Sequence, residues 1–329
     1  MSQPSHRPGR LGVGVISAGR VGAVLGAALR GAGHAVVGVH ASSEASLERA
    51  AALLPDVPVL DVQSIVERSE LVLLAVPDDQ LPGLVSGLAA IGAWQPGQLV
   101  VHTAGRHGTD VLEPVRAAGS IGLAVHPAMT FTGLSLDLQR LADCSFAVTA
   151  AAPVLPIAQA LVVEMGAEPV VVAEADRPLY HAALAHGSNH VMTVLGESMQ
   201  LLGEIGVEHP DRVLGPLVRA TVDNALASGE NALTGPVARG DVTTVAAHVA
   251  ALRELAGGGA GAAHDAAGPV GSADHDAAGP TGNADHDAAR QLLAGYRALA
   301  RQTARRAAVS GRLDETSYRA VMAAIEEEQ

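Results

Sequence analysis

Short apolar runs alternate with amphipathic stretches along the first half of the chain. The apolar runs, five or six residues long, lie at residues 11–16, 35–40, 71–76, 99–103, 121–125 and 145–149, with a shorter one of four residues at 57–60. Apolar runs without alternation are typical of strands buried on both faces of a sheet. Because helical patterns at 20–32 and 46–54 separate the first runs, the pattern predicts βαβ units and a parallel sheet, the α/β class.

The pattern changes at about residue 150, and no strand run is recognisable after about residue 173. Long helices are predicted at 178–205, 212–229, 241–256, 288–310 and 314–327. We therefore expect a disordered N-terminus at 1–10, a Rossmann-like domain at 11–150 and an all-helical domain at 151–329.

One segment, residues 257–287, resembles neither half. It consists mainly of Gly, Ala, Pro, His and Asp, and it repeats His-Asp-Ala-Ala at a period of 11 residues. Such a composition buries too little apolar surface to order itself. We predict a disordered insertion, although its His-Asp pairs leave weak metal binding as an alternative.

Composition excludes several classes of protein. The 329 residues carry 34 acidic against 21 basic side chains, a net charge of −13, and every basic one is arginine. The chain therefore contains no lysine that could form a Schiff base or bind phosphate in a P-loop. The excess of acidic side chains argues against a nucleic-acid partner. Cys144 is the single cysteine, which excludes an internal disulfide. With no apolar run of 18 residues and no apolar signal-peptide core at the N-terminus, we expect a cytoplasmic protein without a membrane span.

The first predicted strand leads into a degenerate dinucleotide-binding fingerprint. The G-x-G-x-x-G pattern reads here Ser17, Ala18, Gly19, Arg20, Val21, Gly22. The second glycine lets the backbone approach a pyrophosphate, and the third allows helix and strand to pack closely. The pyrophosphate would lie at the helix N-terminus. A structural glycine-rich turn is the alternative.

Two further strand ends bear on the cofactor. The second strand is followed by Ser42 and Ser43 rather than by the carboxylate that binds the ribose of NAD. Two hydroxyls with Arg20 favour a 2′-phosphate, hence NADP, with NAD also possible; alternatively, the serines cap the next helix. Val76 and Pro77, at a third strand end, are expected to face the cofactor.

Five motifs carry a resemblance to a known family. They are AVPDD at 75–79, HTAG at 102–105, HPAMTF at 126–131, YHAALAHGSNHV at 180–191 and LTGPVARGD at 233–241. In this order they resemble the oxidoreductase family that pairs a Rossmann-like domain with the domain of unknown function 2520. That family belongs to the 6-phosphogluconate dehydrogenase-like superfamily, with pyrroline-5-carboxylate reductase, ketopantoate reductase and prephenate dehydrogenase.

The resemblance implies NAD(P) in the first domain and a substrate pocket between the domains. Related dehydrogenases place a lysine and an asparagine one helical turn apart. Asn189 matches the asparagine, but Ala185 stands where the lysine is expected. The His-Pro context of His126 is similar to the catalytic-histidine motif of prephenate dehydrogenases. The superfamily also implies a homodimer.

Reduction of a C=O or C=N bond needs a hydride from the nicotinamide and a proton. Histidine is the obvious donor near neutral pH, so His126, His186 and Asn189 are the candidate catalytic residues. Ser188, His181 and Arg239 are candidate substrate-binding residues, Arg239 because arginine binds carboxylates in a bidentate manner.

Three functional interpretations follow. We favour reduction of a small carboxylate-bearing ketone or imine with NADPH. A non-catalytic NADP-binding sensor or scaffold is the main alternative. A metal-dependent hydrolase built on the i, i+4 pair His186 and His190 is a third, and for it the sequence offers no third ligand nearby.

Overall fold

A computed structural model of the chain describes residues 10–257 and 281–327. Its residues divide into two compact units, one ending at Met192 and the other beginning at Thr193. Residues 1–9 of the predicted disordered N-terminus and residues 258–280 of the predicted insertion lie outside the described residues.

A seven-stranded sheet forms the centre of the first unit. Its strands are β1 (Gly12–Ile16), β2 (Ala35–His40), β3 (Leu71–Leu74), β4 (Leu99–His102), β5 (Ile121–Pro127), β6 (Ser145–Thr149) and β7 (Glu168–Val171). They lie in the order β2-β1-β3-β4-β5-β6-β7. Every neighbouring pair is parallel except β5 and β6.

Both faces of this sheet are buried, as the continuous apolar runs predict. Val13 and Val15 of β1 belong to one apolar cluster, whereas Ile16 belongs to a second one. Alternation along a strand places its side chains on opposite faces. The helices of this unit are α1 (Arg20–Gly31), α2 (Glu44–Leu53), α3 (Val62–Arg68), α4 (Leu81–Ala90), α5 (Glu113–Ala117), α6 (Leu136–Arg140) and α7 (Leu155–Glu164), followed by α8 (Arg177–Glu204), which continues into the second unit.

Three expectations about the sheet need correction. The β5–β6 pair is antiparallel, because an apolar run marks a buried strand without giving its direction. Residues 57–60 contribute only a single bridge, between Val59 and Val39. Strand β7 was not predicted, because this mostly exposed strand contains Glu168 and Pro169 instead of an apolar run. Thus strands continue past residue 150, where the sequence places the domain boundary.

The second unit is helical. Beyond α8 it contains α9 (Pro210–Ser228), α10 (Pro236–Arg239), α11 (Val242–Ala256), α12 (Thr281–Val309) and α13 (Glu315–Glu326). Small and branched side chains of α10 to α13 form its core, among them Val245, Ala304 and Val321. Residues 281–287 are helical, so the predicted disordered insertion extends too far at its C-terminal end.

None of the helices within residues 10–257 and 281–327 has the length and hydrophobicity that crossing a bilayer requires. In those same ranges, no three His, Cys, Asp or Glu side chains cluster in a way that would hold a metal ion.

Candidate functional site

The loop between β1 and α1 has the shape that the fingerprint predicts. Ser17, in the place of the first glycine, has φ of +79°, a left-handed conformation that glycine adopts most readily. A β-carbon on Gly22 would lie 2.1 Å from the Ser17 carbonyl oxygen and 2.9 Å from the Ala75 β-carbon. One on Gly19 would meet only the Ser17 Oγ, at 3.5 Å. Gly22 is therefore needed for packing, and Gly19 leaves open the space that a pyrophosphate would need.

A cavity of about 320 Å³ lies beside this loop, at the end of β2. Its lining includes Ser17, Ala18, Gly19, Ser42, Ser43, Arg49, Val76 and Pro77. Ser43 is the N-cap of α2 and exchanges hydrogen bonds with Ser46. Of the two serines predicted to bind a 2′-phosphate or to cap the next helix, Ser43 therefore caps the helix. Ser42 is exposed and is not part of this cap.

Arg49 contributes a charged side chain to the lining of this cavity. It was not among the residues predicted from the sequence. It is half-buried, and its Nη1 donates to the Ala18 carbonyl oxygen at 3.3 Å. An arginine six residues after Ser43, on the helix that follows β2, was the available signal. Arg20 is exposed at the start of α1 and lines the adjoining cavity instead.

That adjoining cavity, of about 780 Å³, connects the phosphate loop with two histidines. It is lined by Ser17, Gly19, Arg20, Val21, Ala75, Val76, Pro77, Asp78, Asp79, Thr103, Gly105, Arg106, His126 and His181. A third cavity, of about 380 Å³, shares both histidines and also has Ser188 and Asn189 in its wall. The candidate cofactor residues and four of the candidate substrate-side residues are thus brought together around shared walls.

His126 lies near the C-terminal end of β5, half-buried. Its Nδ1 lies 2.9 Å from the Tyr180 hydroxyl, and its ring meets the Tyr180 and His181 rings edge to face, with centroids 5.6 and 6.1 Å away. Burial, with smaller contributions from the positive charge of Arg177 and from His181, lowers the pKa of His126 to about 4. His126 is therefore neutral at pH 7.

Arg177 fixes the start of α8 against the sheet. Its side chain is fully buried. Nη2 donates to the carbonyl oxygens of Ala124 on β5 and Ala147 on β6, at 3.0 and 3.1 Å. Nε donates to the Thr149 hydroxyl at 2.8 Å. Tyr180 follows one turn later, and its ring centroid lies 5.9 Å from the guanidinium carbon. The sequence reasoning identified neither residue, although Tyr180 opens one of the five motifs.

Two predicted site residues are not among those that line these three cavities. His186 is exposed, and its Nδ1 lies 2.8 Å from that of His190, so the two rings pair with each other. His186 is not part of the cavity wall that contains Asn189. Arg239 belongs to the second unit, where its Nη1 donates to the Thr234 hydroxyl at 3.4 Å.

His102, in the HTAG motif, has a structural role. It is fully buried at the end of β4. Its Nε2 donates to the Gly108 carbonyl oxygen at 2.7 Å, and its Nδ1 accepts from the Ala104 N–H at 3.2 Å. Burial is the main cause that lowers its pKa to about 3. A neutral imidazole with both nitrogens engaged holds this loop in place.

A parallel-stranded core whose first strand enters a helix through a glycine-bearing loop defines a Rossmann-like α/β protein. The family model of a Rossmann-like domain matches residues 1–127, and that of the domain of unknown function DUF2520 matches residues 144–266. Together the two matches cover most of the chain, in the domain order that its motifs predict. No curated protein matches this sequence.

Solved structures show the same fold at low sequence identity. A protein of Bacteroides fragilis described as a candidate NADP oxidoreductase is 21% identical, with a TM-score of 0.63 over 74% of this chain and 92% of its own. The pyrroline carboxylate reductase of Plasmodium falciparum, solved with NADP bound, is 12% identical, with a TM-score of 0.50 over 69% and 86%. The imine reductase of Myxococcus stipitatus, in complex with NADP+, is 18% identical, with a TM-score of 0.50 over 75% and 86%.

Proposed function

We propose that this protein is an NADP-preferring oxidoreductase that reduces a small carboxylate-bearing ketone or imine. NAD is the second cofactor choice. One observation carries the proposal: the cavity that borders the phosphate loop is also lined by His126 and His181. A nicotinamide that extends from this loop would therefore deliver its hydride beside two imidazoles.

The cofactor end of the proposal rests on the phosphate loop and the residues beside it. The N-terminus of α1 attracts the pyrophosphate through unpaired N–H groups and the helix dipole, and the open space at Gly19 fits a close approach. Ser42 and Arg49 border the cavity at the end of β2. We assign the 2′-phosphate of NADP to them, with Arg20 nearby. The neighbours solved with NADP bound agree with this choice.

The substrate end of the proposal uses the third cavity. His126 hydrogen-bonds the reacting oxygen or nitrogen, and Asn189 and Ser188 hold the substrate from α8, with His181 between the two cavities. Arg239 remains a proposed carboxylate ligand. Arg106 is a second one, because it lines the cavity that contains both histidines.

Calorimetric titration of the protein with NADPH and with NADH tests the cofactor assignment. We expect tighter binding of NADPH. Gly19→Ala is expected to weaken both cofactors, because its methyl group would occupy the open space at the loop. Gly31→Ala, at the other end of α1 with no atom within 4 Å of the added methyl group, is the matched control. Failure of the natural protein to bind either cofactor would overturn the proposal.

A non-catalytic NADP sensor is the second candidate function. Ser17 in place of the first glycine and Ala185 in place of the lysine favour it. His126→Ala separates the two. In an enzyme it lowers kcat and leaves NADPH affinity unchanged, whereas for a sensor no keto acid or cyclic imine is turned over by either protein.

We also propose that the protein is a homodimer. Helix α9 buries none of its side chains, and Leu217 and Leu226 are 62% and 83% exposed. An apolar surface of this kind on a second copy would cover it. Sedimentation equilibrium tests this: Leu217→Asp with Leu226→Asp is expected to yield monomers, and a monomeric natural protein would contradict the proposal.

A further inference from the structure

His126 and Tyr180 form a hydrogen-bonded pair whose two members are fixed from different sides. His126 is held in the sheet by β5. Tyr180 lies one helical turn after Arg177, which is tied to the carbonyl oxygens of β5 and β6. The separation of 2.9 Å between Nδ1 and the hydroxyl oxygen is thus set by the fold.

The direction of this hydrogen bond determines where the imidazole carries its hydrogen. In the described part of the chain, His126 is the sole hydrogen-bond partner of the Tyr180 hydroxyl. A neutral imidazole has one N–H and one acceptor nitrogen. If the phenol donates to Nδ1, as a phenol O–H readily does, the hydrogen of His126 lies on Nε2.

Nε2 of His126 is directed toward Gly105, where the chain has no side chain. A β-carbon on Gly105 would lie 3.0 Å from Nε2 of His126 and 2.6 Å from Cδ2 of His181. All three residues line the cavity that reaches the phosphate loop. The absence of a side chain therefore leaves Nε2 accessible to a bound molecule.

The charged and titratable groups around His126 come from three sides. Arg177, Tyr180 and His181 face it from α8, His102 lies on β4, and Asp78, Asp79 and Arg106 line the shared cavity. Arg177 is the fixed cation among the neighbours on α8, and it opposes a second positive charge on the imidazole.

We propose that Tyr180 is a positioning residue that holds His126 in the Nε2–H tautomer, so that His126 serves as a neutral hydrogen-bond donor to the substrate rather than as an imidazolium acid. The proton that completes the reduction then comes from water. This inference rests on the proposed function for the presence of a substrate. The tautomer itself does not depend on it.

Long-range ¹H–¹⁵N NMR of the full chain with labelled histidine measures the tautomer without substrate or cofactor. We expect Nε2–H and a hydrogen-bonded, unprotonated Nδ1 for His126, assigned by the loss of its signals in His126→Asn. In Tyr180→Phe we expect a mixture of tautomers. The matched control is Tyr296→Phe, because Tyr296 contacts His248 Nδ1 at the same 2.9 Å in the second unit; it should leave the His126 signals unchanged.

An Nδ1–H in the natural protein, or an unchanged His126 spectrum in Tyr180→Phe, would overturn the inference. Turnover provides the second readout. A neutral donor is partly replaced by an amide, so His126→Gln should retain activity within about tenfold of the natural protein, and His126→Ala should lose more. Equal loss in both variants would contradict the donor role. A protein that shows the expected spectrum but neither binds cofactor nor turns over substrate would overturn the proposed function, and with it the substrate-facing role of Nε2.

Discussion

Arg49 provides the sharpest test of the proposed cofactor preference. Its guanidinium borders the cavity at the end of β2 and is held by a 3.3 Å hydrogen bond to the Ala18 carbonyl oxygen. NADP and NAD differ only in the 2′-phosphate. If Arg49 binds that phosphate, Arg49→Gln weakens NADPH binding and leaves NADH binding unchanged.

The expected magnitude follows from the type of contact. A hydrogen bond to a charged group contributes about 1.5–3 kcal/mol, and each 1.4 kcal/mol is about tenfold in Kd. Because Arg49 is half-buried, part of this interaction is screened by salt. We therefore expect a loss of about 10- to 100-fold in NADPH affinity, smaller at high ionic strength.

Calorimetric titrations of both cofactors at two salt concentrations measure this. Arg30→Gln is the matched control: Arg30 also donates to a carbonyl oxygen, that of Pro55 at 2.7 Å, but it is exposed and outside the cavity. The control should leave both affinities unchanged. An equal loss for NADPH and NADH in Arg49→Gln would show a structural effect, and unchanged NADPH binding would refute the assignment.

Three further predictions concern stability. Gly22→Ala places a methyl group 2.1 Å from a backbone oxygen. Urea unfolding should show a free energy of unfolding lower by about 1–3 kcal/mol. An unchanged unfolding midpoint would contradict the packing role of Gly22. Ser17→Gly relieves a φ of +79° and should raise the free energy of unfolding by about 0.5–1 kcal/mol after the entropy of glycine is counted. His102 and His126 have pKa values lowered to about 3 and 4, so below about pH 6.5 the unfolded chain binds protons that the folded protein does not. The free energy of unfolding should therefore fall as the pH is lowered below about 6.5, by up to about 1.4 kcal/mol per pH unit for each histidine. Urea unfolding at several pH values should show a smaller slope for His102→Gln than for the natural protein, and equal slopes would contradict this prediction.

The sheet was predictable wherever burial is continuous. Strand β6, which is buried at four of its five positions, has the predicted bounds, because apolar residues on both faces leave a run without alternation. Strand β2, less deeply buried, has the predicted bounds as well. Edge strand β7 could not be found in this way. With Glu168 and Pro169 in an exposed strand, its hydrogen bonds to β6 define it, and those depend on residues distant in sequence.

The phosphate loop at the cofactor end of the site is determined by residues close together in sequence, whereas the substrate end is not. Ser17, Gly19 and Gly22 act through the geometry of one turn, so their spacing alone predicts them. Arg49 becomes relevant only because α2 packs beside that turn.

The histidines illustrate the harder case. His126, His181 and His186 look alike in sequence, and the tertiary structure separates them. Arg177 anchors α8 so that one turn later Tyr180 reaches His126, while His186, further along the helix, pairs with His190 instead. A buried arginine bound to backbone oxygens has no sequence signature, since its partners are carbonyl groups that every residue carries. The chemistry of His126 thus depends on a contact that only the folded chain reveals, which is why the tautomer of this one imidazole is a more direct test of the site than any motif.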